Sequence, residues 1–320
     1  MRDRAVRQDK MQEATFLLTL AGALMTSSVD VGGTGTLAER RGADSRADDV
    51  SAGSRTARCP RACFCNSASH IVYCSRRGLA AIPDGVAPDT LQLNLNGNLF
   101  SSTTVARTNV SRYRKLEHLY LSECGLERIE VGAFSDLEHL RWLDLSNNRI
   151  AELEPRTFDG LTLQHLFVNG NRNVRISAES FAGLATTGLY LHDCSLRHIG
   201  PESVIRLNFT LRYLWLNGNQ LERLEPRLKQ LFDVLVHLRL GTNPLRCNCW
   251  AMWLKQFYDE SRQVFKGALP PTCLRPASLK GRRFDNITVN DLRCQVRNYR
   301  FNLQPNEPYN SNALTLSVQE

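Results

Sequence analysis

No stretch of the 320-residue chain holds an unbroken run of about eighteen apolar residues, so the sequence offers no membrane span. An excess of one charge sign is also lacking. Lys plus Arg number 40 against 32 Asp plus Glu, and the resulting +8 is spread along the chain without the dense basic stripe that nucleic acid requires. Nucleic acid is therefore not an expected partner. Catalytic motifs are missing as well: there is no GxSxG, no HExxH, no phosphate-binding GxxxxGK and no acid pair on a credible scaffold. The GGTG of residues 32–35 precedes no helical pattern, and His192 and Asp193 are neighbours on one strand, which turns them apart. The expectation is a protein that is not an enzyme, with no catalytic residue, no metal site and no cofactor.

What is present begins with an address. Arg2, Arg4, Arg7 and Lys10 precede the apolar run Phe16–Met25 and then small residues, which reads residues 1–28 as a secretory signal peptide; Met11 is an alternative start. Residues 29–58 are rich in Gly, Ala, Ser, Arg and Asp and read as a flexible linker. With 42% hydrophobic residues, the remainder is long enough to bury a sizeable core.

That remainder repeats itself. The frame LxxLxLxxNxL starts at Thr90, Leu116, Leu140, Leu163, Thr186, Leu211 and Leu235, at spacings of 26, 24, 23, 23, 25 and 24 residues. This is the leucine-rich repeat period, and it predicts an α/β solenoid, a horseshoe with short parallel strands on its concave face. Leucines such as Leu143 and Leu145 alternate with other residues, so they point into the solenoid while their neighbours point out. Phe134, Phe158, Phe181 and Val204, followed by Leu137, Leu161, Leu184 and Leu207, recur as a second apolar spine on the convex side.

One repeat cannot bury either row alone, so both ends need lids. Cys59, Cys63, Cys65 and Cys74 precede the first repeat; Cys247, Cys249, Cys273 and Cys294 follow the last. Behind a signal peptide, two such sets favour disulfides over metal binding. CPRACFC with a fourth Cys nine residues on, and NPLRCNCWAMWL, resemble the N- and C-terminal caps of extracellular leucine-rich repeat proteins such as Slit, the Trk and Nogo receptors and the Kekkon family. The resemblance covers residues 59–294 and implies the pairs Cys59–Cys65, Cys63–Cys74, Cys247–Cys273 and Cys249–Cys294. The organisation expected is a cap at 59–89, repeats at 90–245 with about seven strands, a cap at 246–294 and a tail at 295–320. In Kekkon-like proteins an immunoglobulin domain and membrane helix would come next; a secreted protein and a truncated receptor both fit this ending. Trp250, Trp253, Leu254 and Phe257 fall at helical spacing, which predicts a helix whose apolar face closes the core.

Cys124 and Cys194 occupy the ninth frame position, held elsewhere by Asn98, Asn148, Asn171, Asn219 and Asn243. In the family this residue points inward and bonds to neighbouring backbone. Three repeats at about 4.8 Å each put the two thiols roughly 14 Å apart, beyond disulfide reach, which predicts two buried free cysteines.

The outward residues of the strands form columns. Asn94, Tyr120, Asp144, Phe167, Tyr190, Trp215 and Arg239 lie between the strand leucines; Gln92, His118, Trp142, His165, Gly188, Tyr213 and His237 precede them; and Asn96, Ser122, Ser146, Asn169, His192, Asn217 and Gly241 follow. The expectation is a strip of exposed rings about 29 Å long that binds an extracellular or cell-surface protein through Tyr120, Trp142, Asp144, His165, Phe167, Tyr190, His192, Tyr213, Trp215, His237 and Arg239. The rival reading is that the rings pack on each other across repeats. The histidines raise a further expectation, that binding weakens below about pH 6.5.

Sequons at Asn109, Asn208 and Asn286 fall in connecting segments and in the second cap, away from the concave columns. Two basic clusters, Arg112, Arg114 and Lys115, and Lys280, Arg282 and Arg283, read as solvated loops or as contacts for acidic glycans such as heparan sulfate. The function expected is a receptor or ligand ectodomain for adhesion, signalling or guidance. The alternative is a matrix protein that binds glycans or collagen through its caps and convex face.

Overall fold

The computed structural model describes residues 59–293. The signal peptide, linker, Cys294 and tail expected from the sequence lie outside the described residues. One nine-stranded sheet runs the length of the molecule, with strands Phe64–Asn66, Ile71–Tyr73, Gln92–Asn94, His118–Tyr120, Trp142–Asp144, Thr162–Phe167, Ala185–Tyr190, Tyr213–Trp215 and His237–Arg239 as successive neighbours. The first pair is antiparallel and belongs to the N-terminal cap; every later pair is parallel and in register, Leu119 against Leu143 and Leu189 against Leu214 among them. The seven repeat strands thus sit where the frame puts them.

Leu93, Leu119, Leu143, Leu166, Leu189, Leu214 and Leu238 are fully buried on the inner face of this sheet. Phe134, Phe158, Phe181 and Val204 form the opposing wall, and Phe158 stacks on Phe181 with ring centroids 6.2 Å apart. Consecutive coils are also tied by two-residue parallel pairings such as Glu152–Leu153 with Arg175–Ile176.

The ninth-position residues join coil to coil at the turn after each strand. Asn148 Oδ1 accepts from the amides of Cys124 (2.9 Å) and Leu126 (3.1 Å), and its Nδ2 donates to the carbonyls of Leu121 (2.8 Å) and Leu145 (3.0 Å). Asn98 and Asn219 make the same four contacts in their own coils. Cys124 and Cys194 are buried and free, as expected; their thiols donate to the carbonyls of Leu95 (3.3 Å) and Val168 (3.4 Å). The residue just before the ladder position takes a left-handed φ in each coil: Gly97, Glu123, Asn147, Gly170, Asp193, Gly218 and Thr242. At Gly218 a Cβ would come within 2.1 Å of Asp193 Oδ1 from the coil before, so a larger residue there would have to displace that carboxylate.

Both ends are closed by disulfides. Cys59–Cys65, Cys63–Cys74 and Cys247–Cys273 are bonded as the resemblance implied. Cys249 is also disulfide-bonded, and its expected partner Cys294 lies outside the described residues. The helix Met252–Glu260 buries Leu254 and Phe257, and Phe257 meets Phe232 of the last coil with ring centroids 5.8 Å apart. Trp253 packs at the edge of this core. Trp250 departs from the expected face: it precedes the helix in the 3-10 turn Cys249–Ala251 and is 55% exposed, because that turn breaks the helical periodicity. Among the described residues no helix is long and apolar enough to cross a membrane.

Candidate partner-binding surface

Strand alternation turns Trp142, Asp144, His165, Phe167, Gly188, Tyr190, Tyr213 and Trp215 to the concave side, as the columns required. The structure overturns the expectation that these rings are exposed. Trp142 is 6% exposed, Phe167 4%, Tyr190 0% and Trp215 1%. They form an apolar cluster of their own, separate from the leucine core, with Tyr120 and Tyr213 half-buried at its margins. The cause is geometric: the ~4.8 Å step between parallel strands matches the distance at which rings pack. Phe167 and Tyr190 stack at 4.2 Å with planes 7° apart, Tyr190 and Trp215 meet edge to face at 4.8 Å, and Trp142 leans onto Phe167 at 4.8 Å. The row ends with the Arg239 guanidinium 3.9 Å from the Trp215 ring centre, a cation–π contact.

The preceding column locks this floor. Tyr190 OH and His165 Nδ1 share a hydrogen bond of 3.0 Å. Gly188 makes room for it, since a Cβ at that position would come 2.6 Å from His165 Nδ1 and 2.9 Å from the Tyr190 hydroxyl. Nothing in a single sequence marks a glycine of ordinary φ as a space-maker, so the column position of Gly188 alone does not disclose this role. Trp142 Nε1 and Asn169 Oδ1 are buried without a hydrogen-bond partner among the described residues, so the floor keeps one donor and one acceptor unmet.

Electrostatics follow burial. The His165 pKa is pulled down to about 4 by desolvation. His118 is lowered chiefly by burial, and His237 by burial and then by the charge of Arg239. Burial pushes Tyr120 up to about 12 and raises Asp144, whose Oδ1 accepts from the Ser146 amide at 2.9 Å. All three histidines are therefore weaker bases than a free imidazole, and His165 stays neutral at pH 6.5. His192 is buried as well.

Tyr120, Tyr213, His118 and His237 are the half-buried rings of the columns, so they form the accessible aromatic rim around the buried ones. Tyr213 stacks on His237 with centroids 5.6 Å apart. The sequons stand elsewhere: Asn109 and Asn286 are exposed, on the turn Arg107–Val110 and in the second cap, and Asn208 is half-buried in the convex turn Ile205–Phe209. Of the first basic cluster, Arg112 donates to the Tyr113 hydroxyl at 2.5 Å and Arg114 lies 4.0 Å from Asp136, which Arg107 already engages. In the second, Arg283 pairs with Asp285 at 2.7 Å.

Asparagine ladder, concave parallel sheet and disulfide-bonded caps together define a leucine-rich repeat protein of the extracellular class. Its placement is the secreted space or the outer face of the plasma membrane. A family profile described as leucine rich repeat matches residues 114–172. The chain is similar to trophoblast glycoprotein of Macaca fascicularis, at 28% identity over 288 residues that cover 74% of this chain and 67% of that protein. It is also similar to human CD180 antigen, at 26% identity over 204 residues, 63% of this chain and 23% of CD180. The chain thus spans about two thirds of the one relative and under a quarter of the other. In fold it resembles the crystal structure of human 5T4, also called trophoblast glycoprotein, with a TM-score of 0.55 at 22% identity, covering 75% of this chain and 100% of that one.

Proposed function

We propose that this chain is an extracellular recognition module, acting in adhesion, signalling or guidance, whose concave face docks a cell-surface or secreted protein. The observation that carries the reading is the continuous row Tyr120, Trp142, Phe167, Tyr190, Trp215 on one face of the sheet, packed ring to ring and bordered by half-buried tyrosines and histidines. Such a floor is rigid before any partner arrives, and a preorganised aromatic surface loses little conformational entropy on binding. The rim residues His118, Tyr120, Tyr213 and His237 make first contact, and the floor sets the shape they present. N-glycans on Asn109, Asn208 and Asn286 leave this face uncovered.

The test uses the full-length chain secreted from animal cells, with binding to cell surfaces measured by flow cytometry. The double variant Tyr120→Ser, Tyr213→Ser removes rim rings while leaving the floor in place. The expected result is a loss of at least about tenfold in apparent affinity with the melting temperature nearly unchanged. Binding equal to the parent's would overturn the concave-face reading.

A further inference from the structure

We infer a second binding surface on one flank of the solenoid, built for a linear sulfated polysaccharide. The sequence scatters its residues and the fold assembles them. Arg197, Arg223 and Arg246 are separated by 26 and 23 residues, the period of the repeat, and line one open depression together with His198 and Glu222. The strand Leu245–Arg246 pairs in parallel with Cys273–Arg275, which sets Arg246 in register with Arg275. The Cys273 amide donates to the Arg282 carbonyl and the Gly281 amide donates back to Cys273, so the loop that carries Lys280 and Arg282 runs beside Arg275. A basic path therefore leads from the last three repeats into the cap.

The charge on this path is largely uncompensated. Arg197, Arg223, Arg275 and Lys280 are exposed and have no carboxylate within ion-pair distance among the described residues. The acids nearby are engaged already: Glu222 with Arg246, Glu225 with His198 at 3.7 Å, and Asp285 with Arg283 and Arg262, both at 2.7 Å. The same flank of the earlier repeats is neutralised, with Arg128 on Glu154 at 3.0 Å and Arg175 on Glu152 at 2.6 Å. From Arg197 onward this flank gains Arg197, Arg223, Arg275 and Lys280 without such partners, while Arg246 keeps Glu222.

The chemistry of the ligand follows from the layout. Guanidinium groups present fixed forks of donors that suit the oxygens of sulfate. Each exposed contact is weak alone, so affinity requires a ligand that meets several of them in a line. A stiff, repeating, sulfated chain does this, and the extracellular space supplies such chains.

The experiment measures binding of the full-length protein to heparin at near-physiological salt. The triple variant Arg197→Ala, Arg223→Ala, Arg275→Ala is compared with Arg77→Ala, Arg149→Ala, Arg206→Ala, which removes equal charge at exposed positions outside the path. The expected result is a Kd raised at least about tenfold in the first and within about twofold of the parent in the second. Equal losses in the two triples would reduce the effect to net charge and overturn the site. Polyglutamate binding as tightly as heparin, per charge, would overturn the sulfated class and point to an acidic protein instead.

Discussion

On the inner face of the main sheet, Leu143, Leu166, Leu189 and Leu214 are sealed by a wall of convex-side phenylalanines and leucines; on the outer face, Trp142, Phe167, Tyr190 and Trp215 are buried by packing on one another. Both rows have almost no exposed area, yet they are held differently. The inner row is packed from above and below, so a deletion there opens a cavity that nothing can fill. The outer row lies on the open side of the sheet, where a neighbouring ring or solvent can move into a gap. Low exposure therefore describes two mechanical situations in this protein, and only one of them is a core.

The sharpest way to break that comparison is to cut adjacent residues of one strand. Leu166→Ala should destabilise the protein by about 2–5 kcal/mol, the range for a fully buried leucine. Phe167→Ala, one residue on but on the outer face, should cost about 1–3 kcal/mol despite removing the larger side chain. Denaturant midpoints of the two variants, measured side by side, decide it. A Phe167→Ala loss as large as that of Leu166→Ala would make the outer row a second core, and would leave less of it available for recognition.

The ladder gives a smaller contrast of the same kind. Asn148 bonds to the backbone of its own and the preceding coil through both atoms of its amide. Asn148→Ala therefore strands the buried amides of Cys124 and Leu126 and the carbonyl of Leu121, while Leu145 keeps Asn171 Nδ2, and should cost about 3 kcal/mol. Cys124 offers only a weak S–H donor and a weakly accepting sulfur in the same position, and Cys124→Ala should cost about 1 kcal/mol. Burial raises the Cys124 thiol to about 11, and Cys194 to about 12, so neither is poised for chemistry. A comparable loss in the two variants would mean that the ladder works by packing rather than by hydrogen bonds.

The repeat frame located the strands, both apolar rows and the ladder because each depends on spacing along the chain, which a single sequence displays. The cap pairs were legible through the resemblance alone, and three of the four appear as implied. The columns placed the right residues on the concave side but missed their burial, because alternation says which face a side chain takes and nothing of what its neighbours on that face do. Trp250 was misplaced for a related reason: helical spacing continued on paper through Cys249–Ala251, where the backbone is 3-10. Lys280 and Arg282 were legible as a basic cluster, but the space-making role of Gly188 and the continuation of that cluster through Arg197, Arg223 and Arg275 exist only between coils. Period-spaced polar residues on the flank of a repeat were the available signal for the latter, and Arg197 with Arg223 carry it.

The finest test of the two-faced sheet is a titration, since protons report on solvent access at a single ring. His165 has its pKa lowered to about 4 by burial in the outer row, against about 6.5 for an unfolded histidine. Between these values the unfolded chain takes up a proton that the native protein refuses, so the stability this residue contributes is complete above about pH 6.5 and is lost as pH falls toward 4. At pH 5.5 the loss amounts to about 1 kcal/mol. Asp144 acts in the opposite sense, because its raised pKa lets the native state hold a proton that the unfolded chain has released. Both the parent and a His165→Phe variant retain Asp144, so its effect cancels in their difference. The variant should therefore lose about 1 kcal/mol less than the parent between pH 7.5 and pH 5.5, measured by urea denaturation at each pH. Identical pH dependence would mean that water and protons reach His165 in the native state, and that the outer row is a surface rather than a sealed layer.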